Sequence, residues 1–281
     1  MGRGKKVRSF ISYRAIKAAG SDQVRIALAQ VPCALGDKKE NLSRMTGIVE
    51  NGDADLYVFP ELFLTGYMVR DEVFRLAEGM DGASVKAVER LCDEHGVHIL
   101  FGMPAWDDQV PGVLRNSAVL VSPDELVQRY DKVNPASFGP FEESLYFGAG
   151  PSGVLMDVDG RKIGAIICYD MFFPELSKSY ALAGAEAIIC ISASPVTSRE
   201  YFEKLIPARA IENTIYMVYV NQVGTQLNQV FFGGGEACGP RGGRLVKNKY
   251  FEPDFSSFDV NIEEIKAARR GRPTMRDSST C

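Results

Sequence analysis

The fold is indicated first by the stretch Lys162-Ile163-Gly164-Ala165-Ile166-Ile167-Cys168-Tyr169-Asp170. Its apolar residues predict a buried strand, and helix-forming sequence follows directly after it. Cys168 therefore lies at a strand-to-helix turn, where a side chain points away from the edge of the sheet. The backbone N–H of Tyr169 is then placed to bind an oxyanion. A cysteine in an apolar run is more often a small core residue, so a catalytic interpretation depends on other segments.

Two upstream segments each place an ionisable residue directly after a short apolar or β-type run. They are 57–62, which carries Glu61 behind Pro60, and 130–134, which carries Lys132. A free thiol is mostly protonated at neutral pH, so an attacking cysteine needs a base or a nearby positive charge. Glu61 is the candidate base, and Lys132 is the candidate cation that favours the thiolate and stabilises an oxyanion. This trio suits attack on a C–N bond, because Glu61 can return its proton to the departing nitrogen.

Histidine chemistry is not favoured by this sequence. The chain contains only two histidines, His95 and His98, at a predicted helix-to-strand junction that does not resemble a catalytic loop. Together with Cys92 they have a spacing that could be drawn as a metal site, but no fourth ligand is evident nearby. We therefore expect no metal and no cofactor.

Composition and charge exclude several other classes. The 281 residues carry a formal net charge of −4, which does not favour nucleic acid or a membrane surface as the main partner. The six cysteines form no CxxC pair, which suits reduced thiols better than a disulfide framework. No apolar run approaches the roughly 20 residues of a membrane span, and the basic N-terminus lacks the apolar core of a signal peptide. We expect a soluble, cytoplasmic protein.

Along the chain, strand–helix–strand units alternate with strand–strand units, and no break in composition divides them. This order predicts one layered α/β domain, with a mixed sheet or a pair of sheets, over residues 24–262. Residues 1–23 are interpreted as a basic tail or short helix, and residues 263–281 as a polar C-terminal arm rather than core. The predicted strands are 24–31, 55–59, 97–103, 187–191 and 216–220; the helices are 38–51, 84–95, 174–183 and 200–213; the hairpins are 116–130 and the glycine-rich region 230–250.

Three of these segments resemble a known family. Phe59-Pro60-Glu61, Tyr130-Asp131-Lys132 and Ile167-Cys168-Tyr169-Asp170 with Pro174-Glu175 are similar, in order and spacing, to the signature blocks of the nitrilase superfamily of carbon–nitrogen hydrolases. The resemblance covers about residues 24–262. It implies a four-layer αββα sandwich with two central mixed β-sheets, which pairs through the helical face next to the nucleophile into dimers or larger assemblies.

The resemblance also implies roles for individual residues. Glu61 would be the base, Lys132 the oxyanion stabiliser and Cys168 the nucleophile. The family's second glutamate, which helps to position the substrate and the lysine, falls on Glu143, with Glu142 as the competing candidate.

Departures from the family pattern narrow the substrate. Tyr169-Asp170 after the nucleophile is similar to the amidase and carbamoylase branches, whereas true nitrilases usually carry Trp-Glu there. Phe172, followed by Phe173, stands where several branches have an arginine that holds a substrate carboxylate. Because an apolar side chain cannot compensate the desolvation of a carboxylate, a small neutral or aliphatic amide is predicted. Tyr67 and Asn221 are further candidate substrate-binding residues, although core packing is an equal alternative for Tyr67.

The sequence therefore predicts a thiol-dependent hydrolase that cleaves a non-peptide C–N bond through a thioester acyl-enzyme and releases ammonia. A nitrilase that acts on short nitriles is a close alternative, because a thioimidate could use the same groups. A glutaminase-like donor of ammonia to a separate partner chain is another. A catalytically silent scaffold that binds a metabolite or a protein, or a thiol redox sensor, would belong to a different class.

Overall fold

The computed structural model describes residues 23–123 and 126–278. The predicted basic tail at 1–23 therefore lies outside the described residues except for Gln23. Asp124 in the turn of the predicted 116–130 hairpin, Glu125 at the start of its second strand and the last three residues of the chain also lie outside them. In the described ranges, no helix has both the length and the apolar character needed to cross a membrane.

The elements alternate along the chain as the sequence predicts. The first half contains β1 (Gln23–Gln30), α1 (Lys38–Asn51), β2 (Leu56–Val58), α2 (Val73–Leu76), α3 (Ala83–His95), β3 (His98–Trp106), β4 (Leu114–Val121) and β5 (Val127–Asp131). The second half contains β6 (Leu155–Val158), β7 (Arg161–Ile167), α4 (Pro174–Leu182), β8 (Ala187–Ser192), α5 (Arg199–Asn213), β9 (Tyr216–Asn221), β10 (Val223–Gln226), β11 (Gln229–Phe232), β12 (Glu236–Cys238), β13 (Arg244–Lys247), β14 (Asp254–Asn261), α6 (Ile262–Gly271) and α7 (Thr274–Asp277).

The strands form two mixed six-stranded sheets, in the orders β14-β1-β2-β3-β4-β5 and β13-β12-β9-β8-β7-β6. The central strands of each sheet, β1-β2-β3 and β7-β8-β9, run parallel, and the outer strands pair antiparallel. The helices α1 and α3 make the crossovers of the first sheet, and α4 and α5 make those of the second. The predicted α/β fold with two mixed sheets is confirmed.

The two faces of β1 show how the layers stack. Ile26 and Leu28 lie in the main core with residues of the second sheet, so they face the interior of the sandwich. Ala27 and Ala29 lie in a separate core with residues of α1 and α3. This alternation follows from the two-residue period of a strand, which sends neighbouring side chains to opposite faces. The result is a stack of helices, sheet, sheet and helices.

Two regions differ in detail from the sequence prediction. The predicted glycine-rich hairpin region 230–250 contains the β12–β13 hairpin, and a second hairpin, β10–β11, precedes it and ends inside it. In the segment predicted as an arm, the Asn261 side chain accepts a hydrogen bond from Glu263 N–H and caps α6. Ile265 of α6 is buried in the main core and Ala268 is also buried, so the start of this segment is packed against the domain.

The topology brings the candidate site residues to one end of the sandwich. Glu61 follows β2 by three residues, Lys132 follows β5 directly, and Cys168 follows β7 directly. Ligands of α/β sheets bind outside the carboxyl ends of the strands, and three carboxyl ends from both sheets meet here.

Candidate active site

Cys168 begins a tight turn directly after a buried strand. The residues Cys168–Phe172 form one 3₁₀ turn, and α4 then begins at Pro174. The φ angle of Cys168 is 49°, in the left-handed region that non-glycine residues rarely adopt. The Arg209 Nε donates a hydrogen bond to the Met171 carbonyl at 3.1 Å and supports the turn. A strained backbone held by its surroundings is typical of a nucleophile at a strand-to-helix turn.

The Glu61 carboxylate is completely buried and firmly oriented. Its Oε1 accepts hydrogen bonds from Asn116 Nδ2 at 2.8 Å and Lys132 Nζ at 2.7 Å. Its Oε2 accepts one from the Ala193 backbone N–H at 2.8 Å. Each carboxylate oxygen has two acceptor positions. Counting donors among the described residues, Oε2 uses one position for the Ala193 N–H and keeps the other for a further donor.

Two glycines let the backbone approach these groups closely. A Cβ on Gly102 of β3 would lie 2.7 Å from Glu61 Cα and closer still to Leu62 N, which is too close for any side chain. A Cβ on Gly150 would lie 2.9 Å from Asp131 Cβ and closer still to the Asp131 carbonyl oxygen, beside the bond that the Gly150 N–H donates to the Lys132 carbonyl. Neither glycine was identified as a site residue in the sequence, because their role depends on contacts between distant segments.

Lys132 lies between two buried carboxylates. Its Nζ donates to Glu61 Oε1 and, at 2.8 Å, to Glu143 Oε1. Glu143 also accepts hydrogen bonds from the Tyr67 hydroxyl at 2.6 Å and from the Ala136 N–H at 3.1 Å. Glu142 is exposed. The structure therefore brings Glu143, and not the competing Glu142, to the lysine.

These neighbours set the charge of the lysine. Burial alone would lower the pKa of Lys132, but the carboxylates of Glu143 and Glu61 outweigh it and hold that pKa well above its ordinary value. Burial raises the pKa of Glu143, and the Lys132 ammonium opposes that shift. Lys132 is therefore a fixed positive charge in the site.

The Cys168 thiol is protonated at neutral pH. Burial and then the negative charge of Glu61 raise its pKa to about 12. Lys132 and the hydroxyls of Ser192 and Ser194 act in the opposite direction and are outweighed. Lys132 thus favours the thiolate as expected, but it does not produce one in the resting site, so a base must remove the proton.

A chain of hydroxyl groups behind the thiol was not found from the sequence. Ser194 Oγ lies 3.3 Å from Cys168 Sγ and 2.6 Å from Ser192 Oγ, and the Tyr219 hydroxyl donates to Ser192 at 3.4 Å. The sequence did contain a signal for these hydroxyl groups, because two serines stand two residues apart at the end of an apolar strand. The same segment carries Ala193, so the end of β8 contacts both the thiol and Glu61.

Asp170 and Asn134 link the nucleophile turn to the lysine segment. Asp170 is buried and accepts hydrogen bonds from both the backbone N–H and the Nδ2 of Asn134, each at 2.9 Å. It also accepts one from the Tyr130 hydroxyl at 2.7 Å. The spacing between Lys132 and Cys168 is held by these bonds.

A cavity of about 270 Å³ opens beside Cys168. Of the residues predicted to contact substrate or its oxyanion, Tyr169 and Phe172 line it. The remaining lining residues are Ala136, Phe138, Phe141, Ser194, Ser198, Tyr201 and Phe202.

The other predicted substrate-binding residues lie elsewhere. Tyr67 lines a second cavity of about 220 Å³, next to Glu143. The Phe173 ring contacts Tyr169, at 5.2 Å between centroids, but does not line the Cys168 cavity. Asn221 lines neither cavity, because its buried amide is used by the backbone of Ser194 and Gly233. Asn221 therefore holds the end of β8 in place.

The histidine and cysteine cluster has ordinary partners. In the two described ranges, no group of three or more metal-ligating side chains is assembled. Cys92 Sγ contacts the Val121 carbonyl, and the His98 ring lies 2.8 Å from Ser122 Oγ and 3.0 Å from Asp159 Oδ1.

Comparison with known proteins gives a consistent result. A sequence model for the family described as carbon–nitrogen hydrolase matches residues 25–270. The chain is 29% identical over 256 residues to an (R)-stereoselective amidase from a Pseudomonas species, covering 90% of this chain and 91% of that one. It is 29% identical over 254 residues to a nitrilase from Pyrococcus abyssi, covering 88% and 93%. A CN-hydrolase superfamily protein from Xanthomonas campestris superposes with a TM-score of 0.84 at 24% identity, covering 92% of this chain and 98% of that one.

The close approach at Gly102 gives a prediction for stability. We expect Gly102→Ala to lower the free energy of unfolding by about 1–3 kcal/mol, because the added methyl group must displace the Glu61–Leu62 backbone. Urea unfolding measures this change. Gly243→Ala is the matched control, since a Cβ there meets no atom within 4 Å. Equal stability of the two variants would contradict the close approach.

The raised pKa of Cys168 gives a second prediction. A raised pKa keeps the thiol protonated to higher pH. Between pH 6 and 9 the wild type should therefore gain no more absorbance at 240 nm, where thiolates absorb, than Cys168→Ala does. The difference between the two pH titrations measures the ionisation of the Cys168 thiol. Free cysteine, whose titration midpoint is about 8.5, is the reference. A step in the difference curve with a midpoint below that of free cysteine would show that the thiol is activated at rest.

Proposed function

The chain belongs to the carbon–nitrogen hydrolase family, and from this premise we propose that it hydrolyses a small neutral amide with Cys168 as the nucleophile. The observation that carries the proposal is the arrangement of Glu61, Lys132 and Glu143. One buried ammonium lies between two buried carboxylates, next to a protonated thiol at a strained turn. These groups can supply a base, an oxyanion stabiliser and a nucleophile in one place.

In the first step Cys168 attacks the carbonyl carbon of the amide. Because the thiol is protonated at rest, its proton must leave as the C–S bond forms. Glu61 Oε2 receives it at the acceptor position that Ala193 does not use. The electron pair of the C=O bond moves to oxygen and produces a tetrahedral oxyanion.

Lys132 stabilises this oxyanion. An ammonium has three N–H donors, and Glu61 and Glu143 take two of them. Its third N–H has no acceptor among the described residues and is available to the oxyanion. The Tyr169 backbone N–H is the other donor to the oxyanion. Donors that are fixed before the reaction in a buried site stabilise developing charge more than flexible groups in water do.

Glu61 then completes the reaction by moving protons. Protonated Glu61 gives its proton to the nitrogen, the C–N bond breaks, and ammonia leaves a thioester on Cys168. Water attacks the thioester while Glu61 takes a proton from it. Collapse of the second tetrahedral species breaks the C–S bond, and Glu61 returns the proton to sulfur. The balance is amide plus water to carboxylic acid plus ammonia.

The Cys168 cavity supports an uncharged substrate. Its described lining contains aromatic rings, hydroxyl groups and one alanine, and no charged side chain. Glutamine carries an ammonium and a carboxylate that this lining would desolvate without a partner, which disfavours a glutaminase-like donor. A nitrile is also uncharged, and the nitrilase relative keeps that alternative in the test below.

We also propose that two copies of the chain pair through the helical layer of the second sheet. Helices α4 and α5 lie side by side there, and Lys178 Nζ donates to the Glu212 carbonyl at 3.2 Å. Leu182 and Ile211 are large apolar residues exposed on these helices. Pairing would remove this apolar surface from water.

The nucleophile is tested by ammonia release. Wild type and Cys168→Ala are assayed on a panel of short amides and nitriles, with the products identified by mass spectrometry. We expect release from amides that falls below about 1% in the variant, since no other group can form the thioester. Residual turnover above that level would remove Cys168 as the nucleophile, and release from nitriles alone would identify a nitrilase.

The pairing is tested by light scattering after gel filtration. We expect a species of at least twice the 30.9 kDa chain mass. Ile211→Glu should shift the species to the single-chain mass, because pairing would bury a charge in the interface. Val110→Glu, at an exposed apolar position between β3 and β4, is the control and should leave the mass unchanged. A wild-type protein that runs as a single chain would contradict the proposed pairing.

A further inference from the structure

The cavity beside Cys168 is larger and more aromatic than the proposed reaction requires. On the basis of the proposed function, we propose that this cavity binds an uncharged aromatic acyl group. The preferred substrates would then be amides such as phenylacetamide, with the ring in the cavity and the carbonyl carbon at Cys168.

Six aromatic side chains line the cavity. Several of them contact one another edge-on or tilted: Phe172 lies 5.5 Å from Phe202 at 87° and 6.2 Å from Tyr201 at 61°. Phe138 lies 4.7 Å from Tyr169 at 55°. Aromatic rings favour edge-to-face and offset contacts, so a further ring fits such a lining better than a flexible chain does.

The inner wall of the cavity is fixed, and its outer rim is exposed. Phe202 is buried and stacks on Tyr219 at 4.8 Å and 26°. Phe138 and Tyr201 are 48% and 58% exposed. A ring bound between them would cover apolar surface that otherwise faces water, and this burial favours a large acyl group over a small one.

The size of the cavity agrees with a ring. An apolar cavity of about 150 Å³ is sufficient to bind benzene. The cavity beside Cys168 measures about 270 Å³, so it accommodates a phenyl ring together with the amide. An acetyl group would leave most of this volume to water. The side-chain partners for that water in the described lining are the Cys168 thiol and the hydroxyls of Tyr169, Ser194, Ser198 and Tyr201.

The absence of charge in the described lining excludes acidic and basic acyl groups. A carboxylate or ammonium bound there would lose its hydration without gaining an ionic partner. Lys132 does not serve this purpose, because Glu61 and Glu143 bind it at the reacting centre.

The experiment compares kcat/KM for acetamide, isobutyramide, phenylacetamide and succinamate. We expect phenylacetamide to exceed acetamide by roughly 10- to 100-fold, and succinamate to be the poorest substrate. Phe172→Arg should reduce the phenylacetamide-to-acetamide ratio at least tenfold and raise the relative rate on succinamate. Phe255→Arg, which places the same side chain at an exposed phenylalanine of β14 outside the cavity, is the control and should keep the wild-type ratio.

A binding measurement separates this inference from the proposed function. Calorimetry on Cys168→Ala should show tighter binding of phenylacetamide than of acetamide, with Phe172→Arg in the same background abolishing the difference. If the ring binds preferentially but the wild type hydrolyses no amide, the proposed function fails and the cavity assignment stands. If amides are hydrolysed, but phenylacetamide gives no advantage in kcat/KM or in binding, the cavity assignment is overturned and the proposed function stands.

Discussion

The ion cluster of Glu61, Lys132 and Glu143 is the constraint on which the rest of the structure depends. Burying three charged groups is costly, and their mutual attraction offsets the desolvation only if every remaining polar atom finds a partner. Asn116, the Ala193 N–H, Tyr67 and the Ala136 N–H supply these partners from separate segments of the chain. Loss of Lys132 would leave two buried carboxylates without a cation between them. The strands and loops around the cluster are therefore held to one arrangement by electrostatics as well as by packing.

The sandwich makes this arrangement possible because the site is divided between its two sheets. Glu61 and Lys132 extend from the first sheet, while Cys168 and the end of β8 belong to the second. The Ala193 N–H bonded to Glu61, and Asp170 bonded to Asn134, join the two halves. The site therefore forms only when the sheets pack against each other, and the large apolar core between them is what fixes the geometry of the polar groups.

Within this setting the Cys168 thiol is kept protonated at rest. Burial and the Glu61 carboxylate both raise the pKa of Cys168, so the same group that disfavours the thiolate at rest is the group that can accept its proton. A protonated thiol is also less open to oxidation, since the thiolate is the reactive form. Lys132 acts against the rise in the pKa of Cys168 without overcoming it, and in the proposed mechanism it stabilises the negative charge that moves to the substrate oxygen.

The amino-acid sequence by itself predicted the central strands of both sheets, the crossover helices and the chemical type of the candidate site. Glu61, Lys132 and Cys168 could be proposed as candidates because each stands just after a short apolar or β-type run, and such local patterns depend only on neighbouring residues. The tertiary structure decided the remaining features: Glu143 rather than its neighbour as the partner of the lysine, the serines behind the thiol, the structural use of Asn221, and the packing of α6. Each of these depends on contacts between segments far apart in the chain, which local periodicity does not encode. Adjacent glutamates are alike in sequence, and only the direction of the backbone turn buries one and exposes the other.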